Sequence, residues 1–312
     1  MSKISIIIPC YFNEENIPVT SNVLLETEPL FPEGTQFEYV FVDDGSKDRT
    51  LESLKCFYQQ CPEKVKVIKL AGNVGSYNAI VAGMEYATGE CCVVLTADLQ
   101  DPPELIPQMF DHWQNGIKLV IANRSNRNDG FISDLLSKFY YLLFTKMAFK
   151  TFPKGGFDLV LFDRQLKEEV LKIKEKNTNS LSLLLWLGYE YVCLPYERQE
   201  REIGTSRWTF SKKLKLFIDT FVAFSFFPIR VISVSGILLG LGAVVYALFI
   251  VTAKIFGLVP VKGWSTLMVT FLFVSSFQMI ALGILGEYLW RCLDASRNRP
   301  IYVVEEVYAA EK

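Results

Sequence analysis

Two long stretches without a charged residue, 231–253 and 263–286, limit the folds open to this 312-residue chain. Coiled at 1.5 Å per residue, the first would make a helix about 35 Å long, enough to cross a hydrocarbon core of about 30 Å. Arg230 and Lys254 bound it, and Lys262 and Glu287 bound the second. Two core helices of a large soluble domain are the alternative. Neither stretch has a polar face and both contain Gly, which favours membrane spans. The connection between them carries Lys254 and Lys262. Lys212, Lys213, Lys215 and Arg230 precede the pair, and Arg291, Arg297 and Arg299 follow it. The positive-inside bias therefore predicts a multi-pass protein of the cell (inner) membrane with both termini cytoplasmic. Two helices cannot enclose a wide polymer channel. They predict an anchor, or one part of a homo-oligomer built through the spans.

Elsewhere the chain reads as a soluble protein. Half of all residues are hydrophobic, but the excess lies in 226–286. A net charge of −2 gives no case for nucleic acid as a partner. Seven Cys without a CxxC pair, and His112 as the single histidine, argue against a disulfide framework or a zinc site. Free thiols fit a reducing cytoplasm. The apolar run before Pro9 is too short for a signal-peptide core, so the first domain is expected to stay where it is made.

Two further segments are candidates for the membrane surface. In 132–150, Asp134, Lys138, Lys146 and Lys150 fall at multiples of four and form one polar stripe on a helix of Leu, Phe, Tyr and Met. Such a helix can lie at the headgroup level or pack under a sheet. Residues 210–227 carry Lys212, Lys215 and Asp219 near one side and run into the first span. The predicted division is a catalytic domain at 1–209, a juxtamembrane helix at 210–227, two spans within 228–290 and a cytoplasmic tail at 291–312.

In the first domain, apolar runs at 4–9, 38–42, 65–70, 91–96 and 119–122 alternate with helix-like stretches at 17–28, 50–60 and 77–87. This pattern predicts a mostly parallel sheet with helices on both faces. Polar residues follow the strand ends repeatedly. Ligands of open α/β sheets bind beyond those ends, so Asn13, Glu14, Glu15, Asp43, Asp44, Asp98, Gln100 and Arg124 are expected in one cleft. Neither a GxGxxG nor a GxxxxGK[ST] pattern is present, which removes the dinucleotide and P-loop readings.

Carboxylates without His or Cys suit a hard cation bound through oxygen, Mg²⁺ or Mn²⁺. Asp98 and Gln100, two apart after a strand, can share one ion if the backbone turns there. An Asx-turn and helix cap before Pro102 and Pro103 is the other reading. Asp43 and Asp44, before Gly45 and Ser46, suit a base N–H or ribose hydroxyls, and equally a turn that caps the following helix.

The segments IIIPCYFNEENI, VFVDDGSKDRT, NVGSYNAIVAGMEYATGE and LTADLQDPPELI, in this order and spacing, resemble the family 2 glycosyltransferases of GT-A fold. The likeness is nearest to the polyprenyl-phosphate glycosyltransferases, such as dolichyl-phosphate mannose synthase and bacterial undecaprenyl-phosphate glucosyltransferase. It continues through GGFDLVLFDRQ, RQEREIGTSRW and NRPIYVVEE, and so covers nearly the whole chain. The resemblance implies a Rossmann-like nucleotide-sugar domain followed by interfacial helices and two transmembrane helices. It implies that Pro9, Tyr11 and Glu14 line the base and ribose, and that Asp43 accepts from the pyrimidine ring. Asp98 and Gln100 would hold the metal on the diphosphate, and Asp158 would sit catalytically near the transferred sugar. Arg124, Ser137, Lys138 and Arg201 would bind the acceptor phosphate. The implied activity moves a sugar from a nucleotide sugar to a polyprenyl phosphate, with UDP and glucose favoured by the nearest branch.

Thr96 departs from the family's usual Asp-Ala-Asp-Leu-Gln, removing one carboxylate near the metal or sugar. It motivates the rival of an inactive nucleotide-sugar or lipid-binding membrane protein. A processive polysaccharide synthase is the other rival. Such enzymes carry QxxRW, whereas Gly204 stands here where the Gln would fall before Arg207-Trp208. A phosphate monoester with a second pKa near 6 is already a dianion at pH 7. The implied acceptor needs no histidine base, in keeping with the single His.

Overall fold

A computed structural model describes residues 2–124, 153, 156–197, 219, 222, 224–225, 227–256 and 263–310. Residues 1–220 with 300–312 form one compact unit, and 221–299 form a second.

Among the described residues, the first unit is built on a sheet of eight strands: β1 (Lys3–Cys10), β2 (Gln36–Asp43), β3 (Val65–Leu70), β4 (Cys91–Val94), β5 (Leu119–Arg124), β6 (Val160–Asp163), β7 (Tyr191–Tyr196) and β8 (Val304–Tyr308). Their order across the sheet is β7-β5-β6-β4-β1-β2-β3-β8. The central strands β4, β1, β2 and β3 are parallel, as the alternation of apolar runs and helices requires. In register, Ile4, Ile6 and Ile8 stand beside Phe37, Tyr39 and Phe41. With Leu24 of α1 (Asn16–Thr27), Leu54 and Phe57 of α2 (Thr50–Gln60) and Phe110 of α4 (Ile106–Gln114), all of these but half-buried Phe37, which packs against them, form the buried core on one face. Each such side chain contributes about 1.5–3 kcal/mol by burial. Helix α3 (Ser76–Tyr86) covers the other face at close range. A Cβ on Gly83 would stand 2.4 Å from Ile7 Cγ2, so only glycine allows this packing.

The sheet is less parallel than its first half suggests. Strand β6 runs antiparallel to both β4 and β5, and β8 runs antiparallel to β3. The tail expected at 291–312 therefore needs correction. Its first residues continue a helix that runs to Arg297, and Val304–Tyr308 closes an edge of the catalytic sheet. Side chains bind this strand as well as its backbone. Lys55 Nζ lies 4.6 Å from the Tyr308 ring centroid, Lys69 pairs with Glu305 at 3.0 Å, and Tyr302 donates to Glu85. Two short helices, α5 (Arg164–Lys172) and α6 (Ser180–Trp186), follow β6.

The second unit holds α7 (Phe227–Ile255) and α8 (Trp264–Arg297). Both are long and apolar enough to cross a membrane, and no described residue of their most apolar 18-residue windows is buried. Leu238, Val245, Phe249, Phe271 and Leu272 are among the exposed side chains. Thr252 and Thr270 satisfy their hydroxyls on carbonyls of their own helices, as segments in lipid must. So large an apolar surface belongs in lipid rather than water, and the chain is membrane-associated. The expected interfacial segment 132–150 and most of 210–227 lie outside the described residues.

Candidate active site

Strands β1, β2, β4 and β5 all run in one direction, so their carboxyl ends share one edge of the sheet. Two residues beyond these ends hold unusual backbone. Phe12 and Leu99 have φ of 56° and 51°, a left-handed conformation that costs non-glycine residues free energy and clusters at ligand sites.

After β1, a short loop is stitched to the loop after β2. Phe12 N donates to Ser46 Oγ at 3.0 Å, and Asn13 N to Thr50 Oγ1 at 2.7 Å. Glu14 Oε2 accepts from Arg49 N at 2.8 Å. Pro9 is half-buried in β1 opposite Val42, and Tyr11 is half-buried just beyond it. Asp43 ends β2 and is fully buried. Its Oδ1 accepts from Ser46 N at 3.0 Å, while Oδ2 is buried with no hydrogen-bond partner among the described residues. Buried polar atoms are rarely left so, and an acceptor left open at a strand end is suited to a ligand N–H or hydroxyl.

Asp44 does a different task. Its carboxylate accepts from Val74 N at 2.7 Å, Gly75 N at 3.0 Å and Asn73 Nδ2 at 2.9 Å. It thereby ties the loop before α3 to the end of β2. Burial pushes the Asp44 carboxyl up to about 6 against the opposing pull of these N–H donors, and neighbouring Asp43 adds to the rise. The loops meet so closely at Gly45 that a Cβ there would be 2.8 Å from Gly72 C. Its φ of 68° also requires glycine.

Beyond β4 the chain turns sharply, with Leu99 N donating to Thr96 O at 3.3 Å and Gln100 N to Asp98 Oδ1 at 3.4 Å. Asp98 and Gln100 thus flank one left-handed residue, both half-buried. Their donors are all oxygen, a carboxylate and an amide carbonyl. Among the described residues no three His, Cys, Asp or Glu side chains stand together as a metal cage. The pair fits a hard divalent ion that takes the rest of its shell from substrate phosphates, and does not fit a closed structural site.

At the far end of the edge, five side chains form one polar chain. Arg124, at the end of β5, donates through Nη2 to Asp158 and through Nε to Tyr196 Oη at 3.4 Å. Tyr196, the last residue of β7, donates to Asp101. Thr96 Oγ1 donates to the other Asp101 oxygen at 3.3 Å. Burial alone would lower the Arg124 pKa, but Asp158 and Tyr196 raise it, so its charge is secure. Burial and the Asp101 charge push the Tyr196 hydroxyl well up, so it remains a donor.

Sequence reasoning named Arg124 and Asp158 separately, and the structure joins them. It missed Asp101 and Tyr196, and the strand that ends in Tyr196 was not recognised. It also missed Asn123, whose Oδ1 is buried with no partner among the described residues. Ser137, Lys138 and Arg201 lie outside the described residues. Exposed Glu15 makes no cap hydrogen bond at the start of α1.

One edge of a mixed α/β sheet thus carries an open buried carboxylate, a sharp turn with Asp98 and Gln100, and an Arg–Asp pair. Residues 5–172 match the model of glycosyl transferase family 2. The chain is 36% identical over 308 residues to an uncharacterized glycosyltransferase, YkcC, of Bacillus subtilis (strain 168), covering 98% of this chain and 94% of that protein. It is 32% identical to a bactoprenol glucosyl transferase of Shigella phage SfV, over 97% of this chain and 98% of the other. Among solved structures, it is similar to a mannosyltransferase from Pyrobaculum calidifontis in complex with GDP-Man and Mn²⁺, with TM-score 0.48 and 18% identity, over 69% of this chain and 60% of that one. The chain belongs to glycosyl transferase family 2, with the GT-A fold, and is a glycosyltransferase.

Proposed function

We propose that this enzyme transfers one sugar, glucose from UDP-glucose, to the phosphate of a polyprenyl phosphate at the cytoplasmic membrane face, for cell-envelope glycan or lipid glycosylation. The observation that carries the reading is the collinear likeness to a bactoprenol glucosyl transferase over 97% of this chain. That likeness takes in the catalytic unit, both apolar helices and the returning strand. A soluble acceptor would give no reason for the membrane part to be shared. The pairing of β8 with β3 supports a hairpin of two spans, because residues before and after the apolar helices join one sheet.

In this reading Asp43 Oδ2 accepts from the pyrimidine ring, with Pro9, Tyr11 and Glu14 around the base and ribose. Mg²⁺ or Mn²⁺ held by Asp98 and Gln100 would neutralise the leaving diphosphate. The lipid phosphate is the nucleophile. One of its oxygens bonds to the anomeric carbon as the bond to the diphosphate breaks, which inverts that carbon. Arg124, Ser137, Lys138 and Arg201 bind the acceptor phosphate and align it. A guanidinium has more N–H donors than the two contacts of Arg124 occupy, so it can engage both Asp158 and a phosphate oxygen. Asp158 faces the developing positive charge on the sugar.

The test is a donor panel of UDP- and GDP-sugars with the purified full chain and undecaprenyl phosphate, read by mass of the lipid. One added hexose with UDP-glucose is expected. Unmodified lipid with every donor, or a ladder of many sugars, would contradict the proposal.

A further inference from the structure

We propose that Tyr196 is a positioning residue for transfer: its hydroxyl, anchored on the buried carboxylate of Asp101, sets the plane of the Arg124 guanidinium and so the Arg124–Asp158 pair. The inference rests on the proposed roles of Arg124 and Asp158 and extends them to residues that touch no substrate.

An aromatic residue at the end of a half-buried strand usually needs no explanation beyond packing. Tyr196 is different in what its hydroxyl meets. Asp101 is fully buried, so its carboxylate needs donors from the protein. Thr96 supplies one at 3.3 Å and Tyr196 supplies another. The same Tyr196 oxygen accepts from Arg124 Nε at 3.4 Å. Arg124 is therefore gripped from two sides, by Tyr196 at Nε and by Asp158 at Nη2. Two contacts on a planar group fix its orientation, whereas one leaves it free to turn. In a chain of polar groups of this kind each bond polarises the next.

Thr96 belongs to the same device. At the position where the family usually has Asp, a second carboxylate would face Asp101. The threonine hydroxyl donates there instead, and Asp101 stays an acceptor for Tyr196. On this account the departure at 96 supports the site.

The experiment compares Tyr196→Phe with the wild type, as full-length protein in detergent with UDP-glucose and undecaprenyl phosphate. A fall in kcat of about tenfold or more is expected, with donor KM within about twofold. Thr96→Val should lower kcat by a smaller factor and Thr96→Ser should restore it. Positioning is read without turnover by hydrogen exchange at Arg124 Nε–H in ¹⁵N-arginine-labelled protein, slow in the wild type and faster in Tyr196→Phe. Unchanged kcat, a loss shared equally by donor KM and thermal midpoint, or equally fast exchange in both proteins would overturn the proposal. If Tyr196→Phe does not fold, equal rates for Thr96→Val and Thr96→Ser overturn it. A wild type that makes no lipid product contradicts the proposed function instead, and the exchange measurement still decides the role of Tyr196.

Discussion

Asp43 ends β2 with one oxygen on Ser46 N and the other buried without a described partner. An acceptor held dry in this way strengthens whatever donor reaches it. Asp43→Asn puts an amide where the carboxylate was and should weaken UDP binding about tenfold, on the order of 1.4 kcal/mol. Calorimetry with UDP checks this; unchanged affinity would remove Asp43 from the base. The sequence showed that Asp43 and Asp44 stood at a strand end but left both between ligand contact and turn capping. The structure divides the roles. Asp44 braces the loop before α3, and Asp43 accepts from Ser46 N through one oxygen while the other has no partner among the described residues. Adjacent carboxylates in one turn look alike in sequence, because only burial and the direction of nearby N–H groups tell them apart. Tyr196 was illegible for a related reason. Its importance comes from residues far away in sequence, at positions 96, 101 and 124.

The parallel strands at the centre were legible because β1, β2 and β4 are largely apolar and buried, β3 is apolar apart from Lys66 and Lys69, and the helices between them could be counted. Strands β6, β7 and β8 were not. Val160–Asp163 is only four residues long, and Tyr191–Tyr196 contains Pro195. Val304–Tyr308 carries two glutamates and reads as solvated tail. Its place in the sheet depends on β3 offering an edge, which no local pattern records. Because Tyr308 packs against Lys55 and Tyr58, with ring centroids of the two tyrosines 6.2 Å apart, the strand is held by more than its ladder. Tyr308→Ala should destabilise the catalytic unit by about 1–2 kcal/mol and lower its Tm by roughly 2–6 °C. Glu305→Ala, at an exposed ion pair, should change little. Equal melting of the two variants would mean that the strand contributes nothing specific.

At the scale of the whole molecule, the chain leaves the catalytic sheet, passes through two apolar helices and returns to the same sheet. Residues on either side of the helix pair therefore share one side of any bilayer they cross. With exposed Cys56, Cys193 and Cys292 replaced by Ser, a thiol at Val261→Cys should react with impermeant reagent from outside the cell. A thiol at Ala310→Cys should not. The reverse pattern would put the site on the wrong side for cytoplasmic donors. The central claim is a new bond between the anomeric carbon of one sugar and a lipid phosphate oxygen, made with inversion. It is tested most directly by nuclear magnetic resonance of the lipid formed from UDP-α-glucose and undecaprenyl phosphate. The account predicts a phosphodiester phosphorus signal and the anomeric coupling of a β-glucosyl unit. An α-linked product, or free glucose beside unchanged phosphate monoester, would contradict it.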